Sequence, residues 1–266
     1  MSGVERIAAA FAQVRAQRRA ALMPYFTLGY PDRATSLAVI EAISAESDLL
    51  ELGVPFSDPI ADGPTIQRST QRALEAGATV SGCLDMLATL RARGMTTPAV
   101  LMGYYNPILA FGLSAYTRAA RAAGADGLIV PDLPPEEAGE LEAFSAESGL
   151  AYIFFLAPTS SPPRMAEVAR RARGFIYLVS LTGVTGARVA VGAGLEAFVA
   201  QVRRHTETPL AVGFGISTPE QTRQVGRIAD GVIVGSALIN AFDAGGPAQA
   251  LAFVRSLRAG LDPVPA

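Results

Sequence analysis

Eight short apolar segments alternate with longer amphipathic segments along the chain, and this alternation is the feature that most constrains the fold. Most of the apolar segments are continuously hydrophobic, as expected for strands of a parallel sheet that is covered on both faces. The segments between them are rich in Ala, Arg and Glu, and many have Ser, Thr or Pro near the start and Gly after the end, as helices do. The predicted strands are ALMPYFTLG (21–29), DLLELGV (48–54), PAVLMGYY (98–105), DGLIVPD (126–132), AYIFFLAP (151–158), FIYLVSL (175–181), PLAVGFGI (209–216) and DGVIVGSAL (230–238).

Eight successive βα units predict a (β/α)8 barrel, the TIM barrel. The competing architecture is an open, doubly wound sheet, and the strand count favours the barrel. Two helices are additional to the regular alternation: VERIAAAFAQVRAQRR (4–19) precedes the first strand, and SGCLDMLATLRARG (81–94) is an extra helix after the second strand. No linker or change of composition divides the 266 residues, so we predict one domain, 1–266.

Composition excludes several classes of function. The net charge of −2 gives no reason to expect nucleic-acid or anionic-membrane binding. Cys83 is the one cysteine and His205 the one histidine, which excludes an internal disulfide and a His-rich zinc site. The N-terminal segment lacks the apolar core of a signal peptide, and no run approaches the roughly 18 apolar residues of a membrane span. We therefore expect a cytoplasmic protein.

Glycine-rich loops follow the last three predicted strands. Loops after strands 7 and 8 form the recurrent phosphate site of (β/α)8 barrels, because glycines let backbone N–H groups approach an anion closely. GFGIST (213–218) and GSAL (235–238) occupy these places, and TGVTGAR (182–188) follows strand 6. The alternative is that the glycines only permit tight turns. Three such loops favour a small organic phosphate, bound by Gly215, Gly235 and Ser236 with Gly186 as a further donor.

The second strand carries a carboxylate and leads into an acidic loop. Glu51 lies within the apolar run LLELGVP, and Asp58 and Asp62 follow in FSDPIADGP. An inward-facing Glu51 near the top of the barrel would be partly dry, which raises a carboxyl pKa and suits general acid–base chemistry. The alternatives are a structural ion pair for Glu51, turn caps for the two aspartates, and a magnesium site, which is disfavoured because only one of the three acids is on a strand.

Long parts of the sequence resemble the tryptophan synthase alpha chain family. The likeness covers nearly the whole chain and includes, in the order of the family, PYFTLGYP, LELGVPFSDPIADGPTIQ, LMGYYNPI, GLIVPDLPPEE, YLVSLTGVTGAR, VGFGIS and IVGSAL. The resemblance implies a (β/α)8 barrel that cleaves indole-3-glycerol phosphate to indole and glyceraldehyde 3-phosphate. It implies no cofactor or metal in this chain. It also implies a partner, the beta chain, which carries pyridoxal phosphate and forms an α2β2 complex with this chain.

The resemblance assigns roles to individual residues. Glu51 matches the family's catalytic acid/base, Asp62 the loop aspartate that stabilises positive charge at the indole nitrogen, and Tyr177 a tyrosine close to the catalytic carboxylate. Thr185 matches a lid threonine that helps to hold the loop aspartate. The remaining matches are the phosphate contacts Gly186, Gly215, Gly235 and Ser236 and the indole contacts Tyr25, Met102 and Phe214.

The resemblance also separates Asp58 from Asp62, which spacing does not. Pro55 and Asp58 match the part of the loop that faces the beta chain, and Asn106 and Pro107 match another partner-facing loop. One departure is Leu181, which stands where some members of the family have an arginine. It affects the charge contacts of the lid rather than a catalytic position.

Three other functions are compatible with parts of this pattern. A sugar-phosphate isomerase or epimerase would use the phosphate loops and a carboxylate base, but it would not need a wide aromatic slot above Glu51. A regulatory subunit would activate a partner without its own chemistry. A stand-alone lyase would release indole without a beta chain.

Overall fold

The computed structural model describes residues 1–179, 193–213 and 215–261, and within them eight parallel strands close into a barrel in sequence order. The predicted (β/α)8 barrel is thereby confirmed. That residues 1–266 form one domain stays a prediction. The strands are β1 (Ala21–Thr27), β2 (Leu50–Gly53), β3 (Ala99–Met102), β4 (Gly127–Ile129), β5 (Ala151–Leu156), β6 (Ile176–Val179), β7 (Leu210–Gly213) and β8 (Gly231–Val234).

Helices surround the barrel, and both predicted additional helices are present: α1 before β1, and α4 between α3 and β3. The helices are α1 (Gly3–Ala16), α2 (Arg33–Ser44), α3 (Pro64–Glu75), α4 (Val80–Ala92), α5 (Tyr105–Phe111), α6 (Leu113–Ala122), α7 (Gly139–Glu147), α8 (Pro162–Arg171), α9 (Ala193–Arg203), α10 (Pro219–Gly226) and α11 (Ser236–Leu261). Within the described ranges, no helix is long and apolar enough to cross a membrane.

Alternate strand residues face the barrel interior, and α1 covers its lower end. One cluster of buried side chains joins Met23, Val100 and Ile153 of the strands to Ile7 and Phe11 of α1. The capping box formed by Ser2 and Glu5 fixes the start of α1, because each residue satisfies a backbone N–H of the other. The additional N-terminal helix therefore closes the end of the barrel opposite to the βα loops.

Two predicted boundaries were wrong at the upper end of the barrel. YYNP was predicted as the end of a strand and a loop, but Tyr105, Asn106 and Pro107 form the first turn of α5. Proline fits there because first-turn N–H groups need no intrahelical acceptor. The strand predicted for 230–238 ends at Val234, and Ser236 already begins α11. This helix is kinked at Gly245 and Gly246.

Three aspartates at the lower end repeat one arrangement. Asp48 precedes β2 and accepts the backbone N–H of Leu22 on β1 at 2.8 Å. Asp126 precedes β4 and accepts the N–H of Ala99 on β3 at 2.9 Å, and Asp230 precedes β8 and accepts that of Leu210 on β7 at 2.8 Å. Each aspartate thus joins its own strand to the strand before it.

Two arginines pair with each of these aspartates. The pairs are Arg19 and Arg258 with Asp48, Arg6 and Arg91 with Asp126, and Arg15 and Arg203 with Asp230. The arginines of Asp48, with the Leu22 N–H, lower the pKa of that carboxyl although its burial opposes the change. We call these three groups the aspartate clamps.

Candidate active site

A cavity of about 440 Å³ opens at the C-terminal ends of the strands, the end at which (β/α)8 barrels bind their ligands. Its wall contains eight of the residues predicted for the site, contributed by β1, β2, β3, β6 and the loops after β2, β7 and β8. These residues are Tyr25, Glu51, Asp62, Met102, Tyr177, Gly215, Gly235 and Ser236.

Glu51 is the buried acid of this cavity. Its side chain faces inward from the middle of β2, and the residue is 1 % exposed. Its Oε2 atom has no hydrogen-bond partner among the described residues, and no described arginine pairs with it. Burial, with a smaller contribution from the charge of Asp62, raises the pKa of Glu51 to about 8. Since an unpaired buried carboxylate is costly, this acid is protonated at neutral pH.

Asp62 reaches the same cavity from the loop between β2 and α3. Burial raises its pKa to about 6, against the opposing effect of a hydrogen bond from Tyr104. The Tyr104 hydroxyl donates to Asp62 Oδ2 at 3.0 Å. Because the pKa of Asp62 stays below 7 and that of Glu51 lies above it, the two carboxyls hold different charges at neutral pH. Such a separation of pKa values is typical of paired carboxyl groups that have different roles in acid–base chemistry.

Two glycines make room for the two tyrosines beside Glu51. A Cβ atom at Gly53 would lie 2.0 Å from the Tyr25 hydroxyl, and one at Gly213 would lie 2.2 Å from the Tyr177 hydroxyl. The Tyr25 hydroxyl therefore lies over β2, and the Tyr177 hydroxyl lies over β7. Together with Met102, the two tyrosine rings form an apolar, aromatic wall. A flat apolar group can lie against such a wall next to the two acids.

The part of the cavity formed by residues after β7 and β8 is suited to an anion. Ser236 begins α11, and the N–H groups of a first turn have no intrahelical acceptor and carry the positive end of the helix dipole. Gly235 precedes this turn, and Gly215 after β7 has φ +45°, a conformation that favours glycine. These three residues line the same cavity, and their role in binding phosphate stays a prediction.

The residues predicted to face a partner lie outside the cavity wall. Asp58 is exposed on the loop after β2 and accepts a hydrogen bond from the Ser57 hydroxyl at 2.6 Å. Asn106 is exposed on α5, Pro107 is partly exposed there, and Pro55 is buried. The structure therefore separates Asp58 from Asp62, and the partner-facing role of these four residues stays a prediction.

Four residues discussed from the sequence lie outside the described residues: Leu181, Thr185, Gly186 and Phe214. Their assigned roles stay predictions. Cys83 is buried in α4 and His205 is exposed just after α9, as expected for residues without a catalytic role. In the described part of the chain, no group of three His, Cys, Asp or Glu side chains could hold a metal ion.

The sequence reasoning missed Ser217, Asn240 and the role of Tyr104. Ser217 and Asn240 line the cavity near the anion side. Asn240 could have been found, because it lies four residues after Ser236 and hence on the same face of the helix. Nothing in the sequence position of Tyr104 reveals its bond to Asp62.

Comparison with known proteins is consistent with this geometry. The sequence model described as tryptophan synthase alpha chain matches residues 11–259. The tryptophan synthase alpha chain of Roseiflexus castenholzii is 55 % identical over 260 residues, which cover 96 % of this chain and 100 % of that protein. That of Geobacter sulfurreducens is 52 % identical over 241 residues, which cover 90 % and 91 %.

Solved structures agree with the sequence relatives. A structure of Mycobacterium tuberculosis tryptophan synthase has a TM-score of 0.91 at 41 % identity and covers 97 % of this chain and 99 % of that chain. The alpha subunit from Legionella pneumophila has a TM-score of 0.91 at 38 % identity and covers 99 % and 100 %. On the family match, the identities and the shared barrel, this chain belongs to the tryptophan synthase alpha chain family.

Proposed function

We propose that Glu51 and Asp62 carry out the lyase reaction of this family, the cleavage of indole-3-glycerol phosphate to indole and glyceraldehyde 3-phosphate. The chain is an enzyme of this carbon–carbon lyase class by its family membership. The observation that carries the assignment of residues is the unpartnered Oε2 of Glu51, buried at the wall of a cavity that also contains Asp62. A buried polar atom without a partner in the protein is suited to bond a substrate.

Glu51 acts first as an acid and then as a base. With a pKa of about 8 it holds a proton at neutral pH and can deliver it to C3 of the indole ring. Protonation makes the ring an electron sink. The resulting Glu51 carboxylate removes the proton of the glycerol hydroxyl beside the C–C bond, a carbonyl forms there, and the bonding electrons return to the ring. One proton has moved from the hydroxyl to the indole carbon, and Glu51 is protonated again.

Asp62 stabilises the positive charge that develops on the ring. With a pKa of about 6 it is ionised at neutral pH, and it can accept a hydrogen bond from the indole N–H. In this proposal Tyr177 packs beside Glu51, and Tyr25, Met102 and Phe214 contact the ring. Thr185 helps to hold Asp62 in place. The phosphate is bound by backbone N–H groups of Gly186, Gly215, Gly235 and Ser236.

The partner and location are proposed from the family. Tryptophan synthase alpha chains act with a beta chain, to which pyridoxal phosphate belongs. We expect an α2β2 complex in the cytoplasm, with Pro55, Asp58, Asn106 and Pro107 at the interface and with indole passed to the beta chain for condensation with L-serine. The exposed side chains of Ile60 and Leu109 support this, since they present apolar surface on the same two elements, the loop after β2 and α5.

Glu51→Gln tests the assignment. We expect the variant, assembled with a beta chain, to lose indole release by roughly 1,000-fold or more, with binding to the beta chain unchanged. Glu41→Gln on the outer face of α2 is the matched control and should keep full activity. Indole release by Glu51→Gln at the wild-type rate would overturn the role of Glu51. No release of indole from indole-3-glycerol phosphate by the wild-type complex would overturn the lyase assignment and favour an isomerase or regulatory subunit.

A further inference from the structure

Tyr104 connects the end of β3 to the loop that carries Asp62. Its hydroxyl donates to Asp62 Oδ2 at 3.0 Å and accepts the backbone N–H of Ala61 at 3.1 Å. Its ring also packs against Phe56 at the start of the same loop, with centroids 5.3 Å apart. One side chain, 4 % exposed, therefore contacts both ends of the loop 56–62.

The rest of this loop has few ties to the barrel. Its internal hydrogen bonds join Ile60 to Asp58 and Asp62 to Pro59, and Gln67 donates to the Asp62 carbonyl. Ser57, Asp58, Ile60 and Ala61 are exposed. Within the described ranges, two residues outside this loop reach it with side-chain hydrogen bonds: Gln67 of α3 and Tyr104, which lies between β3 and α5. Of these two, only Tyr104 bonds the carboxylate of Asp62. The place of the Asp62 carboxylate at the cavity wall thus depends on the Tyr104 hydroxyl.

We propose that Tyr104 is a positioning residue for Asp62: its hydroxyl holds one carboxylate oxygen, so that the other faces the substrate in ionised form. The inference rests on the proposed role of Asp62 at the indole nitrogen. A carboxylate has lone pairs for several hydrogen bonds, so a bond to Tyr104 at Oδ2 leaves Oδ1 as the acceptor for the ring N–H. Because the Asp62 carboxylate is already held in position before the reaction, it needs little reorganisation when positive charge develops in the transition state.

The charge of Asp62 depends on the same bond. Glu51 of β2, Tyr25 of β1 and Tyr177 of β6 are the other titratable groups that act on it or respond to its charge. Burial raises the pKa of Asp62 and the Tyr104 hydrogen bond lowers it. Loss of the hydroxyl should therefore raise this pKa above about 6 and reduce the ionised fraction of Asp62 at neutral pH.

Tyr104→Phe isolates the hydroxyl, because the ring that packs against Phe56 remains. In the complex with a beta chain, we expect kcat/KM for indole-3-glycerol phosphate cleavage to fall by roughly 10- to 100-fold at pH 7, as for loss of a hydrogen bond to a charged group. The acidic limb of kcat/KM against pH should move to higher pH, which a merely structural change would not produce. Tyr152→Phe is the matched control, since the buried Tyr152 hydroxyl has no partner among the described residues. Tyr152→Phe should change neither kcat/KM at pH 7 nor the position of the acidic limb.

Asp62→Asn, alone and combined with Tyr104→Phe, tests the positioning role of Tyr104 separately from the proposed role of Asp62. If Tyr104 acts through Asp62, adding Tyr104→Phe to Asp62→Asn should reduce kcat/KM no further. Equal losses from Tyr104→Phe in both backgrounds, or an unmoved acidic limb, would overturn the inference while leaving the role of Asp62 intact. Full activity of Asp62→Asn alone would instead overturn the proposed function on which the inference rests.

Discussion

Replacing Glu51 with Gln is expected to remove a pH dependence from the free energy of unfolding. The pKa of Glu51 is raised from 4.5 to about 8 in the folded chain. Between these values the folded state keeps a proton that the unfolded state has lost, so wild-type stability falls as pH rises. The contribution of Glu51 to the free energy of unfolding is fully present below pH 4.5 and is lost by the time the pH has passed 8. At 1.36 kcal/mol for each pKa unit, the loss amounts to at most about 5 kcal/mol.

The measurement is urea unfolding of the free chain and of Glu51→Gln, followed by circular dichroism at several pH values from 4.5 to 9. Gln keeps the shape of a protonated Glu and does not titrate. The difference between the two proteins therefore cancels the titrating groups that do not interact with Glu51, such as Asp48. We expect Glu51→Gln to gain stability relative to the wild type progressively over this range, up to several kcal/mol at pH 9.

Asp62→Asn provides a second check, because the charge of Asp62 adds to the effect of burial on Glu51. In the Asp62→Asn background the pKa of Glu51 should be lower than in the wild type. The pH range over which stability falls should therefore end below pH 8. A stability difference between Glu51→Gln and the wild type that stays constant within about 0.5 kcal/mol from pH 4.5 to 9 would refute the reasoning. It would mean that Glu51 is ionised and solvated in the folded chain.

Two further predictions concern the walls of the cavity. Gly53→Ala should destabilise the chain by about 1–3 kcal/mol and reduce cleavage, because the new Cβ would lie 2.0 Å from the Tyr25 hydroxyl. The control is Gly139→Ala on α7, where a Cβ meets nothing within 4 Å. In thermal unfolding this control should be neutral or stabilising. Ser236→Asp should raise the KM for indole-3-glycerol phosphate by roughly 10-fold or more, since it places a negative charge at the phosphate side of the cavity. An unchanged KM would contradict the position of the phosphate.

The parts of the fold that depend on periodic burial could be predicted from the sequence. Eight apolar runs predict the barrel, and the position of Glu51 on β2 is enough to place it near the upper end of the interior. α5 was missed because Pro107 indicates a loop when tertiary context is unknown, yet its missing N–H is harmless in a first turn. The junction of β8 and α11 was misplaced because GSAL is apolar and small enough to extend a strand.

The site was only partly predictable because its loop acid depends on a contact between distant residues. Asp58 and Asp62 stand four residues apart in the same Pro-rich loop. Among the described residues, Tyr104, at the N-cap of α5, bonds the Asp62 carboxylate at the cavity wall. The family resemblance selected Asp62 for the site, and the structure has Asp62 at the cavity wall, while its role there stays a prediction. It did not reveal Tyr104, whose hydroxyl is 42 residues away in sequence from the carboxylate that it holds.

The aspartate clamps stabilise one end of the barrel, and the proposed catalytic residues lie at the other end. They join β1 to β2, β3 to β4 and β7 to β8 at the lower rim, whereas both proposed catalytic acids act at the upper rim. Substitutions at distant sites combine additively, so stability lost in the upper loops can be restored by changes at the lower rim without altering cleavage. The βα loops are therefore free to vary in sequence over evolution at little risk to the barrel beneath them.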